Sequence, residues 1–201
     1  MPRAFPRNII AETAFKGKSM DENETDILLM RRIAEDDEAA ARELILKWQK
    51  PLINFFWRSV NDVHAAEDLA QQTFVKLCRS AAKYEPKAAF SSYLFHIAHN
   101  VLVSDFRARS RRAAEPTDPA ELPAVAAPDT DLAENELKKN FARAVEALPE
   151  NQRTAILLLC QQELSYAEIA DAMSAPVQNV KNWIHRARQT LRESLAEFLE
   201  K

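Results

Sequence analysis

The residues best suited to chemistry lie between Val177 and Arg192, where Gln178, Asn179, Lys181, Asn182, His185, Arg186, Arg188 and Arg192 occur without a single acid. Glutamine and asparagine can pair with adenine edges, while lysine and arginine neutralise phosphates or bond to guanine. The mix suits recognition of duplex DNA in its major groove. Val180, Ile184, Ala187 and Leu191 recur at helical spacing through the same stretch. They predict a helix with one apolar face and one polar, basic face.

The elements that must position this helix are legible just before it. Ser165 and Glu168 have the spacing of a capping box, in which the hydroxyl takes the Glu168 N–H and the carboxylate reaches back to the Ser165 N–H. A short helix burying Ile169, Ala170 and Met173 should follow, and Ser174-Ala175-Pro176 should end it, because proline disfavours helical geometry in the residue before it. Two helices joined by a three-residue turn, the second the more basic, predict a helix-turn-helix.

Composition bounds the rest. The 201 residues include one glycine, Gly17, and ten prolines mostly outside the periodic segments. This favours an all-α chain over one built from strands and tight turns. The net charge of −3 hides segregation: nine acids face three arginines between Asp21 and Glu43, and seven acids stand without a base between Ala113 and Leu137. A free DNA-binding domain is usually basic overall, so this balance predicts a protein that binds DNA weakly alone and needs a larger partner. Cys78 and Cys160 form no CxxC and read as buried thiols of a reducing compartment. Neither a signal peptide nor a membrane-spanning run is expected, so the predicted location is cytoplasmic, without direct membrane insertion. His96 and His99 lack a carboxylate or cysteine partner and carry no metal expectation. Without a carboxylate pair or nucleophile constellation, no enzyme, cofactor or small-molecule substrate is expected.

Taken in order, residues 1–20 read as a disordered tail. Helices are predicted over Asp21–Ile33 (stripe Ile27, Leu28, Met30, Ile33), Glu38–Val60 with Pro51 as a kink or join, His64–Ala82, and from Phe90 to Arg107 and beyond. In the second, Leu44, Ile45, Trp48, Leu52, Phe55, Phe56 and Val60 form the stripe, and Trp57 alone of the aromatics is expected outside the core. Leu69, Phe74, Leu77 and Cys78 should face inward from the third. Phe90, Leu94, Ile97, Ala98, Val101, Leu102 and Phe106 should do so from the fourth, which ends in Arg107, Arg109, Arg111 and Arg112. Four arginines exceed what a helix C-terminus needs and read as phosphate contacts. Proline and acids mark 113–132 as an extended linker. The predicted organisation is a helical domain over 21–112 and a second over 133–201, with Ile156, Leu157, Leu159 and Cys160 inward in the helix opened by Pro149.

Two helical modules joined by an acidic linker, the second a helix-turn-helix, resemble the bacterial extracytoplasmic-function (ECF) RNA polymerase sigma factors. The resemblance covers residues 24–198 and rests on AEDLAQQTFVKL (Ala66–Leu77), FSSYLFHIAHNVLVSDFR (Phe90–Arg107) and the segments between Ala147 and Leu195. It implies a dissociable specificity subunit of RNA polymerase, with the polymerase clamp and flap, promoter DNA and an anti-sigma protein as partners. The third helix would dock on polymerase through Glu67, Asp68, Leu69, Gln71, Gln72, Phe74 and Lys76. The minus-ten element would be captured by Lys83, Tyr84, Lys87, Phe90, Ser91, Tyr93, His96, Asn100, Arg107, Arg109, Arg111 and Arg112, with a base drawn from the stack and arginines along the backbone. The minus-thirty-five element would be read by Ser165, Tyr166, Gln178, Asn179, Lys181, Asn182, Trp183, His185, Arg186 and Arg188.

The chain departs from the family at the start of its basic helix. Gln178-Asn179-Val180-Lys181-Asn182-Trp183 stands where Gly-Thr-Val-Lys-Ser-Arg is common, and Trp183 replaces an arginine. The turn glycine before Pro176 is absent, with Ser174 near its place. A stand-alone helix-turn-helix regulator is the alternative reading; in it the Ala66–Leu77 segment would be mere surface.

Overall fold

Capping chemistry sets the first boundaries. Asp37 accepts from the Ala39 and Ala40 amides at 2.9 and 3.1 Å, and Asp62 accepts from Ala65 N–H at 3.0 Å. The computed structural model describes residues 20–113 and 140–196. The expected tail and nearly all of the expected linker lie outside them.

The first module holds α1 (Met20–Ala34), α2 (Glu38–Val60), α3 (Val63–Ser80), a 3₁₀ turn (Ala81–Lys83) and α4 (Phe90–Ala113). The second holds α5, whose described part is 140–146, then α6 (Glu150–Gln161), α7 (Tyr166–Ala172) and α8 (Val177–Ser194). The described residues contain helices and no strand, so the fold is all-α. Asn61, at φ 53°, stops α2 in a left-handed conformation that asparagine tolerates, and its N–H bonds Trp57 O at 2.7 Å.

An aromatic cluster fills the first module. Phe55, Phe56, Phe90 and Phe95 are fully buried. Phe55 and Phe95 meet edge to face at 5.4 Å, and Trp48 lies 5.6 Å from Phe90, a geometry that adds to area burial. Trp57 is half-buried, as its separate reading anticipated.

Several inward faces differ from expectation. In α1 the buried face is Asp26, Leu29, Met30 and Ile33, while Leu28 is 56% exposed and Ile27 half-buried. A charged residue shifts the stripe, because Asp26 pairs with Lys47 Nζ at 2.6 Å. Helix α2 continues through Pro51 without a join; the proline ring is itself buried and packs the core that its missing N–H would otherwise weaken. In α6 the core takes Leu158, and Leu159 and Cys160 are only half-buried. Phe95 and His99, absent from the expected face of α4, are buried as well. Cys78, expected inward, is half-buried.

The two modules pack together. Buried side chains of both form one contiguous cluster, with α2 against α6 and α4 against α7.

Candidate nucleic-acid and polymerase interface

The helix-turn-helix is built as its sequence predicts. Ser165 N–H donates to Glu168 Oε2 at 2.8 Å, and Glu168 N–H donates to Ser165 Oγ at 3.3 Å. After α7, Ser174 adopts φ 49°. This left-handed residue lets the Ala175 amide return to Ala170 O at 2.9 Å, so Ser174 does the work of the missing glycine. Helix α8 then buries Val180, Ile184, Ala187 and Leu191. Gln178, Asn179, Lys181, Asn182, His185, Arg186 and Arg188 are all exposed on its other faces. Trp183 is half-buried and packs against the core. Tyr166 does the same, and Ser165 is occupied by its cap. These three position α8 more than they present polar groups.

In α3, Glu67, Asp68, Gln71, Gln72 and Lys76 are exposed. Leu69 and Phe74, expected on the same surface, are 3% and 6% exposed and anchor the helix instead. Helical phase explains this: Ala66, Leu69, Ala70, Thr73, Phe74 and Leu77 share the inward face. Val75 was missed. It is 48% exposed beside Gln71 and Gln72, and one valine between polar neighbours leaves no sequence signal.

The segment from Lys83 to Tyr93 is held at both ends. Phe90 N–H, at the start of α4, donates to Asn23 Oδ1 of α1 at 2.7 Å. Tyr93 Oη donates to Ser80 Oγ at 2.8 Å, and Ser80 passes its proton to Leu77 O at 2.8 Å. The Tyr84 and Tyr93 rings lie 4.7 Å apart, and Tyr84 also meets Phe90 edge to face at 6.2 Å. Burial, reinforced by Tyr93 and Asp26, holds the Tyr84 phenol above its usual pKa, so it stays neutral. A half-buried tyrosine pair at the foot of an exposed loop can stack on a base. Phe90 and Ser91, expected among the contacts, are buried and support that pair from beneath. Asn23 lies 67 positions from the amide it caps, so no local motif marks it.

Beyond the loop, Lys83 and Lys87 are exposed, and Lys87 pairs with Glu85 at 2.7 Å. Asn100, Arg107, Arg109 and Arg111 follow along exposed positions of α4. Asp105 holds Arg109 at 2.7 Å. The side chain of Arg112 lies outside the described residues. Arg107, Arg111, Ser104, Ser110, Phe106 and Glu150 line a cleft of about 630 Å³ between α4 and α6. His96 is half-buried and turned to the second module. Among the described residues no group of His, Cys, Asp and Glu could hold a metal ion. No helix there is long and apolar enough to cross a membrane.

The comparisons with known proteins agree with this geometry. Residues 44–112 match the family described as Sigma-70 region 2, and residues 138–191 match Sigma-70, region 4. The chain is 31% identical to the RNA polymerase sigma-H factor of Pseudomonas aeruginosa, over 88% of this chain and 96% of that protein. It is 30% identical to the ECF RNA polymerase sigma-E factor of Haemophilus influenzae, over 90% and 100%. Among solved structures, CnrH in complex with the cytosolic domain of CnrY superposes with a TM-score of 0.64 at 23% identity, covering 86% of this chain and 98% of that one. The sigma factor RpoE of Bartonella quintana, in complex with the anti-sigma factor NepR, gives 0.62 at 24%, covering 77% and 96%. With both regions matched in order and relatives aligned almost end to end, the chain belongs to the ECF sigma factors of the sigma-70 family.

Proposed function

We propose that this alternative sigma factor divides its work among three surfaces. Residues 21–112 form the first domain. In it the exposed face of α3 (Glu67, Asp68, Gln71, Gln72 and Lys76, joined by Val75) docks on the clamp of core RNA polymerase. The loop after α3 and the adjoining turns of α4 hold the separated strand of the minus-ten element: Tyr84 and Tyr93 stack on a displaced base, Lys83, Lys87 and Asn100 take polar contacts, and Arg107, Arg109 and Arg111 follow the phosphates. Residues 133–201 form the second domain, connected through 113–132, which engages the flap and reads the minus-thirty-five element through α8.

The observation that carries this reading is the exposed face of α8. Seven polar or basic side chains stand opposite a four-residue buried stripe. Amides at Gln178, Asn179 and Asn182 favour adenine edges, and Lys181, Arg186 and Arg188 suit phosphates. The protein works without catalysis of its own, in the cytoplasm, and is held in check by an anti-sigma protein, as the RpoE neighbour is described with one.

The test is transcription from a promoter library by core bacterial polymerase, with and without the protein. Initiation that depends on the protein and is lost in Asp68→Ala supports the reading. Duplex binding that is indifferent to Asp68 and needs no polymerase favours a stand-alone regulator.

A further inference from the structure

The polar seam between the modules has no role in the surfaces just described, and it uses one of their residues. His96 Nδ1 on α4 lies 3.2 Å from Ala172 O at the end of α7, with Ser174 Oγ at 3.4 Å. A carbonyl oxygen only accepts, so Nδ1 carries the proton. Nε2 is left to accept from Asn100 Nδ2 at 3.0 Å, provided the Asn100 amide group is oriented as assigned. Arg153 of α6 donates to Ser59 O at the end of α2 at 2.7 Å. It also donates to the carbonyls of Glu146 and Leu148 in its own module, so one guanidinium ties three carbonyls together. Asn61 Nδ2 donates to Glu146 Oε2 at 3.4 Å. Arg58 of α2 faces Cys160 of α6 from a largely desolvated position. The seam thus has two separate points of attachment, at the end of α2 and along α4.

Distance gives this seam a consequence. Ala172 O touches His96, and six residues of chain followed by ten of helix put Gln178–Arg188 within about 40 Å of that ring. Promoter elements centred ten and thirty-five base pairs upstream lie roughly 85 Å apart at about 3.4 Å per base pair. Duplex DNA is stiff over this length, with a persistence length of about 150 base pairs. The packed form therefore cannot place α4 on one element and α8 on the other. Its turn at Ala172–Ser174 also occupies the His96 edge. The connection from Ala113 to Asn140 has a maximum reach of about 90 Å, enough to let the modules part.

We infer that the free chain is a closed form, in which the second module docks on the α4 surface of the first through His96 and on the end of α2 through Arg153, and that this dock must open before the chain can span a promoter. The inference rests on the assignment of α4 and α8 to the two promoter elements. It makes the seam the internal competitor of the minus-ten strand. Polymerase binding to both modules would supply the opening, by differential affinity for the parted state.

A reversible cross-link tests it. Asn61→Cys and Glu146→Cys, in a chain carrying Cys78→Ser and Cys160→Ser, are treated with a short bifunctional methanethiosulfonate. Near-complete intramolecular linkage in the free chain, suppressed by core polymerase, supports the closed form. So does a tenfold or greater loss of initiation in the linked chain that reductant reverses. Linkage no higher than that of a distant pair of exposed cysteines, or a linked chain that initiates as fast as the reduced one, overturns it. The single-cysteine chains report damage from substitution alone. Small-angle scattering of the unsubstituted chain is a second reading: one compact body supports closure, and two bodies held apart overturn it. Linkage and scattering are read without polymerase or DNA. A reduced chain that fails to initiate therefore counts against the promoter assignment, while those readings still decide closure.

Discussion

The Asp26 carboxylate, fully buried in α1, lies 2.6 Å from Lys47 Nζ of α2, and Lys47 also donates to Glu22 O at 3.3 Å. Removing one partner of such a pair strands the other charge in the core. Lys47→Ala should lower stability by about 2 kcal/mol, less than for a fully buried pair because the lysine is a quarter exposed. Replacing both residues with leucine and methionine should recover much of the loss. Urea unfolding of the single and double variants checks this; equal destabilisation by both would mean that packing, not charge, dominates.

Ser174 sits at φ 49° without being a glycine. A side chain in the left-handed region is disfavoured by roughly 1–2 kcal/mol, and glycine avoids this at some entropic cost in the unfolded state. Ser174→Gly should therefore stabilise the helix-turn-helix by about 0.5–1 kcal/mol, seen as a higher Tm. Ser174→Val, β-branched at the same φ, should move it the other way. A lower Tm for the glycine variant would show that the hydroxyl beside His96 matters more than the backbone.

Where the apolar period was intact, the sequence was readable. Val180, Ile184, Ala187 and Leu191 were the expected face of α8 and are its buried residues. Ser165 and Glu168 form the expected cap. The reading slipped where a rule met an exception. Asp26 is buried because of a lysine 21 positions away, which no local window contains. The run Ile156–Cys160 is apolar throughout, so it carries no phase from which to choose Leu158 over Leu159. Leu69 and Phe74 were assigned both a docking surface and the core, and burial leaves them the core. The seam was invisible for a different reason. His96 meets a backbone carbonyl 76 positions on, and a carbonyl has no residue signature.

His99 is 7% exposed and its Nδ1 has no hydrogen-bond partner. Burial, with a smaller contribution from charge on His96, lowers its pKa from 6.5 to about 4. The folded state thus binds this proton less readily than the unfolded chain. The stabilising contribution is complete above about pH 6.5 and is lost as pH falls toward 4. At roughly 1.4 kcal/mol per unit, the loss approaches 3 kcal/mol at the acid end. The urea midpoint should fall through this window in the parent chain and fall less in His99→Leu. Parallel pH profiles would assign the acid sensitivity to other groups.

Lys181 and Arg188 extend from exposed positions of α8, and no acid in the helix up to Arg192 offsets them. If each neutralises one phosphate of the minus-thirty-five element, each contributes close to one released counterion, and the slope of log K against log salt should shrink by about 0.9 per residue removed. Lys181→Ala and Arg188→Ala should weaken holoenzyme binding to all promoters alike, since phosphates carry no sequence. Gln178→Ala should behave differently, leaving the salt slope unchanged and relaxing preference at one base pair, for about 1–3 kcal/mol of lost discrimination. Titrations at several salt concentrations, on matched and mismatched duplexes, separate these outcomes. An unaltered slope for both cation variants would remove them from the phosphate backbone and leave α8 anchored by Arg186 alone.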